Sequence, residues 1–132
     1  MGQHDIDSEN LPYHPSKLER KEYIGIGEFL SVDMRTGTID DVQEFPEMRK
    51  PSYKIRVDFG PKVGRLWSSA QITNYSRSQL IGRMVVAAIN LGEKTLPTGF
   101  VSQFLVLGAL DADGTVRLLE VPEGTLPGST VA

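Results

Sequence analysis

The 132-residue sequence predicts a mainly β fold, a five-stranded barrel with one short helix between its third and fourth strands. Three observations predict it: apolar residues alternate over 53–59, an uninterrupted apolar run covers 84–89, and a helix-start signal at Ser76 lies between them. The length suits one compact domain. A hydrophobic content of 39% and a charged content of 23% are ordinary for a globular protein.

Residues 1–28 are predicted to form an arm and a short helix outside the barrel, which is assigned to residues 29–132. Ser16 and Glu19 have the spacing of a capping box, in which each side chain satisfies a free backbone donor at a helix start. The pattern predicts a helix over about 17–24 that ends at the glycines following it.

The first strands of the barrel are indicated by period-two alternation. Over 53–59 every second residue is apolar, and Lys54, Arg56 and Asp58 occupy the positions between. This pattern is typical of a half-buried strand, and here its outer face is mostly basic. A further strand is predicted from Arg65 to Thr73, with Leu66, Ala70 and Ile72 facing inward.

The second half of the chain supplies the helix and the remaining strands. Ser76 and Gln79 form a second capping box and predict a helix over about 77–81. The elements that follow are two buried apolar strands at 84–89 and 104–107, a hairpin turn at Asp113-Gly114, and a loop from Pro122 onward. A short helix between the third and fourth strands of a small barrel is typical of the OB-fold.

Charge is distributed unevenly along the chain, although the net charge is only −3. Residues 1–34 carry seven acidic and three basic side chains, whereas residues 49–83 carry eight basic side chains against Asp58 alone. This asymmetry predicts a basic face on an acidic protein, the alternative being a merely solvated sheet surface. The neighbouring carboxylates Asp40 and Asp41 are interpreted as a solvated strand edge.

Several classes of function are disfavoured. Cysteine is absent, which removes disulfides, thiolate zinc sites and a cysteine nucleophile and makes a cytoplasmic setting the default. No apolar run approaches the roughly 18 residues that cross a bilayer, so membrane insertion is not expected. Ser68 and Ser69 are candidate nucleophiles, but both histidines, His4 and His14, lie in the predicted arm. We therefore predict no catalytic residue, metal or cofactor, with a serine-dependent hydrolase as the alternative.

The chain contains an ordered set of short motifs: Val32-Asp-Met-Arg-Thr-Gly-Thr-Ile39, Phe45-Pro46, Tyr53-Lys-Ile-Arg-Val-Asp-Phe-Gly60, Ser68-Ser-Ala-Gln-Ile-Thr73, Leu80-Ile-Gly82, Asn90 and Gly99-Phe100-x-Ser102. In this order and spacing the set resembles the CsaA-like branch of the tRNA-binding-domain family, over about residues 29–130. It is also similar to the C-terminal module of methionyl-tRNA synthetase. The resemblance implies a cytoplasmic OB-fold homodimer that binds tRNA, assists unfolded secretory precursor proteins as a chaperone, or does both.

The predicted binding surface combines cations with one aromatic and several polar side chains: Arg49, Lys50, Lys54, Arg56, Arg65, Trp67, Ser69, Asn90, Lys94, Ser102 and Gln103. Trp67 stands where relatives are usually basic or polar, and it is expected to stack on a base, to cover an apolar peptide side chain, or to pack at an interface. The serines are either hydrogen-bonding groups or small residues that permit a tight strand crossing. The pattern does not distinguish tRNA from unfolded polypeptide, and a purely structural dimeric module is a further alternative.

Overall fold

A computed structural model describes residues 11–132, and its centre is a five-stranded antiparallel sheet. The strands are β1 (Met34–Glu44), β2 (Tyr53–Asp58), β3 (Arg65–Ala70), β4 (Met84–Ala88), β5 (Lys94–Thr95), β6 (Val101–Ser102), β7 (Leu105–Val106), β8 (Gly108–Leu110) and β9 (Val116–Leu118). The helices are α1 (Ile26–Leu30), α2 (Gly60–Val63) and α3 (Arg77–Leu80), preceded by a 3-10 turn at Pro15–Lys17.

The sheet has the order β3-β2-β1-β4-β7 and curls into a nearly closed barrel. Its open edge, β3, meets the chain that follows β6: the Gln103 amide donates to the Trp67 carbonyl at 2.8 Å. The Ser68 hydroxyl, on the same strand, donates to the Phe104 carbonyl at 2.7 Å. The predicted five-stranded OB-type barrel, with α3 between its third and fourth strands, is therefore confirmed.

The core lies inside the barrel and is built from the inward residues of every main strand. Ile39, Ile55 and Val85 are fully buried, and the rings of Phe59 and Phe104 meet edge to face at 5.3 Å between centroids. A glycine is needed in β1 at Gly37, because a Cβ there would collide with the side chains of two residues on the β2 side of the barrel.

The local signals in the second half of the chain predicted the elements well. The Ser76 amide donates to Gln79 Oε1 at 2.7 Å, and the Gln79 amide donates back to Ser76 Oγ at 3.3 Å, so the second capping box starts α3 as predicted. Asp113-Gly114 forms the predicted turn between β8 and β9, with Gly114 at a φ of 91°. The strand predicted to reach Thr73 instead ends at Ala70.

The helix predicted over 17–24 is wrong, since residues 18–25 form neither helix nor strand. No residue of this stretch packs into the core: Leu18 is 57% exposed and Tyr23 is 91% exposed. Short helices are stabilised mainly by burying an apolar face, and the barrel does not cover the apolar side chains of this segment. The helix begins instead after Gly25, at Ile26.

Among the helices of residues 11–132, none combines the length and the apolar character required to cross a bilayer.

Candidate nucleic-acid interface

The outward side chains of β1, β2 and β3 form one continuous surface, which we call the charged face. The cross-strand pairs between β2 and β3 are Lys54 with Ser69, Arg56 with Trp67, and Asp58 with Arg65. Side chains that are directly opposite one another on neighbouring strands share a face. The predicted alignment of Lys54, Arg56, Arg65 and Trp67 on one side of the sheet is thus present.

A β-bulge in β1 adds carboxylates to this face. The pairing of β1 with β2 shifts register between Ile39 and Asp41, which leaves Asp40 as the extra residue. Because Ile39 and Val42 are both buried, the two aspartates between them face outward together. Bulges commonly re-aim a side chain in this way.

Asp40 binds two of the predicted ligand-binding cations. Arg56 Nε donates to Asp40 Oδ1 at 2.8 Å, and Arg65 Nε donates to Asp40 Oδ2 at 2.7 Å. The side chain of Asp40 is only 25% exposed. Partial burial by itself would raise the pKa of Asp40, but the hydrogen bonds and positive charges of the two guanidinium groups outweigh it, and the pKa is lowered. The interpretation of Asp40 as a solvated strand edge is therefore wrong.

This group of four residues, Asp40, Arg56, Asp58 and Arg65, is called the arginine cluster. Arg65 Nη2 also lies 3.7 Å from Asp58 Oδ2, so two carboxylates face two guanidinium groups. The concentration of basic residues over 49–83 is consequently offset in space by an aspartate of β1. This end of the charged face is electrically balanced.

The other end of the charged face is an open pocket of about 370 Å³ lined by Gln43, Lys54, Trp67, Phe100, Val101 and Gln103. We call it the aromatic pocket. Lys54 Nζ lies 4.7 Å from the ring centroid of Phe45 and 5.4 Å from that of Phe100, and these two rings meet edge to face at 5.3 Å. Within residues 11–132, no carboxylate lies within 4 Å of the Lys54 ammonium group.

Trp67 is fixed in the pocket by its main chain and by its ring. Gln103 Oε1 accepts a hydrogen bond from the main-chain amide of Trp67 at 2.9 Å, and the main-chain amide of Gln103 donates to the Trp67 carbonyl at 2.8 Å. Arg56 Cζ lies 5.6 Å from the ring centroid, in cation–π contact. Gln103 Nε2 in turn donates to Glu93 Oε2 at 2.8 Å. The tryptophan is therefore held at both of its main-chain groups and on its ring.

The remaining predicted site residues do not line the aromatic pocket. Lys94, Ser69 and Ser102 line a different cavity of about 470 Å³. Arg49 and Lys50 are exposed in the loop between β1 and β2. The Asn90 side chain joins two main-chain groups instead, accepting from the Asp33 amide and donating to the Ser31 carbonyl, each at 2.8 Å.

The serines of β3 serve the closure of the barrel. Ser68 is 2% exposed, and its hydroxyl lies 3.0 Å from that of Ser102. The Ser69 amide donates to the Ser102 hydroxyl at 3.3 Å. His14 Nδ1 accepts from the Ser16 amide at 3.1 Å, and His4 lies outside the described residues. No base contacts Ser68 within residues 11–132.

Sequence reasoning missed Phe45, Phe100, Gln43, Glu93 and Asp40 as parts of the candidate interface. Phe45 and Phe100 belong to the motifs shared with the family. Their contact with each other and with Lys54 depends on tertiary structure, because the two residues are far apart in the sequence. Gln43 pairs with Lys54 across β1 and β2, and a single polar residue in a strand gives no comparable signal.

Comparisons with known proteins agree with this geometry. The family described as "Putative tRNA binding domain" matches residues 34–130, which include every strand of the barrel. The chain belongs to the tRNA-binding-domain family. The CsaA chaperone protein of Picrophilus torridus is 42% identical with a TM-score of 0.78, over 83% of this chain and 100% of that one. The CsaA chaperone of Bacillus anthracis str. Ames is 35% identical with a TM-score of 0.74, over 84% and 100%.

Curated relatives of the tRNA-binding domain include much longer proteins. The methionine–tRNA ligase of Thermococcus onnurineus is 36% identical over 119 residues, which cover 86% of this chain but 16% of the ligase. The corresponding ligase of Neisseria gonorrhoeae is 29% identical over 96% of this chain and 18% of that protein. The chain thus spans less than a fifth of the curated relatives it matches. The predicted resemblance to the CsaA-like branch is confirmed.

Proposed function

We propose that the chain is a non-catalytic tRNA-binding protein of the CsaA type that acts in the cytoplasm. The observation that carries the proposal is the match of a tRNA-binding domain to residues 34–130. On the charged face of this domain, Lys54 and Trp67 line one open pocket. Single-stranded nucleic acid is bound by cations that follow the backbone and by aromatic rings on which bases stack. The charged face offers both kinds of group.

The phosphates are assigned to the cations that no carboxylate neutralises. Arg49, Lys50 and Lys94 are such cations, with no carboxylate within 4 Å among residues 11–132. The arginine cluster is assigned a lesser share, because Asp40 accepts a hydrogen bond from each guanidinium group and offsets part of their charge. Exposed cations together with a separate aromatic pocket suit an irregular RNA surface better than a regular duplex.

The proposal is tested by titrating tRNA at about 50 and 200 mM salt, since neutralising several phosphates makes log K fall linearly with log salt. We expect binding at the lower concentration and a steep loss at the higher one. Absence of detectable binding at the lower salt concentration would disprove the RNA function.

A second candidate function is the capture of unfolded precursor polypeptide. The cavity of about 470 Å³ beside the pocket is lined by Met48, Leu91, Leu96, Phe104 and Leu105 together with Lys94, a combination that suits an extended apolar segment. Capture through apolar contacts depends far less on salt than phosphate binding does. A denatured protein that displaces tRNA, and that still binds at about 200 mM salt, would favour this second function.

We further propose that residues 1–28 are a dimerisation extension of a barrel domain formed by residues 29–132. Its described part exposes apolar side chains that the barrel does not cover, including Tyr23 at 91% exposure and Ile26 at 71%. Exposed apolar patches of this kind mark interaction surfaces. Sedimentation equilibrium is expected to show a dimer, and the double variant Ile24→Glu with Ile26→Glu is expected to be a monomer, since both side chains are exposed. Lys21→Glu, a charge change in the same segment, is the control.

A further inference from the structure

We infer that the aromatic pocket is a subsite for one unpaired nucleobase, and that Arg56 braces its wall instead of contacting phosphate. The inference rests on the proposed RNA function and names the part of the RNA that this pocket takes. Its volume of about 370 Å³ is at the small end of ligand pockets, which span about 300–1,000 Å³. A pocket of this size suits a single planar group.

The residues that line the pocket complement both the flat face and the polar edge of a base. Trp67 and Phe100 line it and offer aromatic surface for the apolar face of a base. Lys54 Nζ, held over the Phe45 and Phe100 rings at 4.7 and 5.4 Å, offers N–H donors to acceptor atoms on the edge of a base. Every base has a face to stack, and the donors of Lys54 favour an edge that carries acceptors.

Charge at the rim argues against a phosphate in the same place. Glu93 is hydrogen-bonded to Gln103 at the rim, so a negative charge flanks the pocket. Arg56 and Arg65, on the same face, each donate through Nε to Asp40, which offsets part of their charge. A phosphate in the pocket would therefore meet one cation and be repelled by one carboxylate, whereas a neutral base suffers no such repulsion.

The tryptophan is organised before any ligand arrives. Gln103 is hydrogen-bonded to both main-chain groups of Trp67. Arg56 is in cation–π contact with the Trp67 ring, and Asp40 accepts a hydrogen bond from Arg56. A rigid platform costs less ordering entropy on binding than a mobile side chain does. Arg56 is thus a positioning residue for Trp67. The hydrogen bond from Arg56 to Asp40 fixes Arg56 in turn.

A base must leave its stack to enter the pocket, so the ligand is an unpaired nucleotide of a loop or a strand end. Trp67 is the only tryptophan in the chain, which makes its fluorescence a direct report on the pocket. The probe is an RNA hairpin with an unpaired loop. Its matched control is the same hairpin with loop nucleotides that lack their bases, which keeps every phosphate.

We expect the intact hairpin to quench the fluorescence and to bind about tenfold more tightly than the abasic one, in line with base–aromatic stacking. Trp67→Leu and Phe100→Leu should each remove most of this difference, measured by anisotropy of labelled RNA on variants with unchanged melting temperature. Two variants are used so that one misfolded protein does not decide the result.

Arg56→Lys separates the two roles of Arg56. It keeps the positive charge, so the salt dependence of tRNA binding should not change, while the discrimination between the two hairpins should shrink about threefold because the ring loses its planar brace. Arg56→Gln removes the charge as well, and a fall in salt dependence in this variant with unchanged discrimination would show that Arg56 contacts phosphate.

Three results would overturn the inference, and they are distinguishable. Equal affinities for the two hairpins, with no quenching, would disprove the base subsite while the RNA function stands. Quenching by a denatured polypeptide but not by the hairpin would show that the pocket takes a peptide. No binding of either hairpin or of tRNA would disprove the RNA function and the subsite together.

Discussion

The two ends of the charged face have similar side chains and opposite organisation. At one end, Arg56 and Arg65 share the carboxylate of Asp40, and at the other, Lys54 lies over two aromatic rings with no carboxylate within 4 Å among residues 11–132. The first arrangement leaves little net charge for a ligand. The second leaves a cation that is oriented and electrostatically available.

The difference teaches that the number of cations does not locate a binding surface. Eight basic residues over 49–83 suggest a strongly basic patch, yet the structure balances two of them with an aspartate that the count omits. What matters is which cation retains its donors for a ligand. A surface ion pair is itself only weakly stabilising, but it changes what its partners can bind.

The strongest test reverses the charge at both ends together. We expect Lys54→Glu combined with Arg65→Glu to abolish detectable tRNA binding at moderate salt, because the pocket cation is lost and two carboxylates are added. Gel-shift titration measures the affinity, and circular dichroism checks that the barrel still forms. Unchanged affinity would mean that tRNA uses another face.

The two single substitutions show which end of the charged face contributes more to tRNA affinity. Lys54→Glu should weaken binding about fiftyfold and Arg65→Glu about threefold, since truncating an engaged, ligand-facing charge costs far more than removing a rim charge. Equal losses would contradict the distinction between the aromatic pocket and the arginine cluster. Lys62→Glu, in α2 and away from the pocket lining, is the matched control for charge.

Releasing the arginines should move affinity in the opposite direction. Asp40→Asn removes the carboxylate charge while keeping the shape, so Arg56 and Arg65 become available to phosphate. We expect tRNA affinity at low salt to rise about fivefold and the slope of log K against log salt to steepen by about one. A loss of affinity would show instead that bracing Trp67 matters more than the charge that is released.

Local signals predicted the fold only where the tertiary structure supported them. Two capping boxes have the same spacing, yet only the one at Ser76 starts a helix. Leu80, in the helix it starts, is fully buried, whereas Leu18, after Ser16, is 57% exposed. A short helix is stabilised mainly by packing, and sequence spacing does not reveal what a segment packs against.

The barrel strands were predictable because burial alternates with the chain. Period-two alternation placed Lys54, Arg56 and Trp67 on one face correctly, but parity fails at a bulge. The extra residue Asp40 turns two consecutive aspartates outward, and only the register shows it. Phe45 and Phe100 likewise meet through the closure of the barrel, which no local pattern encodes.

Acid stability tests the arginine cluster without RNA. The pKa of Asp40 is lowered from 3.8, so its contribution to stability is complete above that value and is lost as the pH falls through the folded pKa. Urea unfolding of the native protein and of Asp40→Asn should therefore differ most near neutral pH and converge as the pH falls through the lowered folded pKa of Asp40. The shift should be modest because both arginines reach solvent. A difference that widens on acidification would mean that the carboxyl is not held ionised by its partners.

The smallest effect is expected at the rim of the aromatic pocket. Glu93→Gln removes the carboxylate that Gln103 contacts and keeps a hydrogen-bonding side chain of the same length. Because the carboxylate repels the phosphates on either side of a bound nucleotide, we expect tRNA affinity to rise about twofold, with a larger gain at low salt. Discrimination between intact and abasic hairpins should stay constant, since the base itself is neutral. A gain in discrimination would instead place Glu93 in contact with the edge of the base, and its role would then be to select that base.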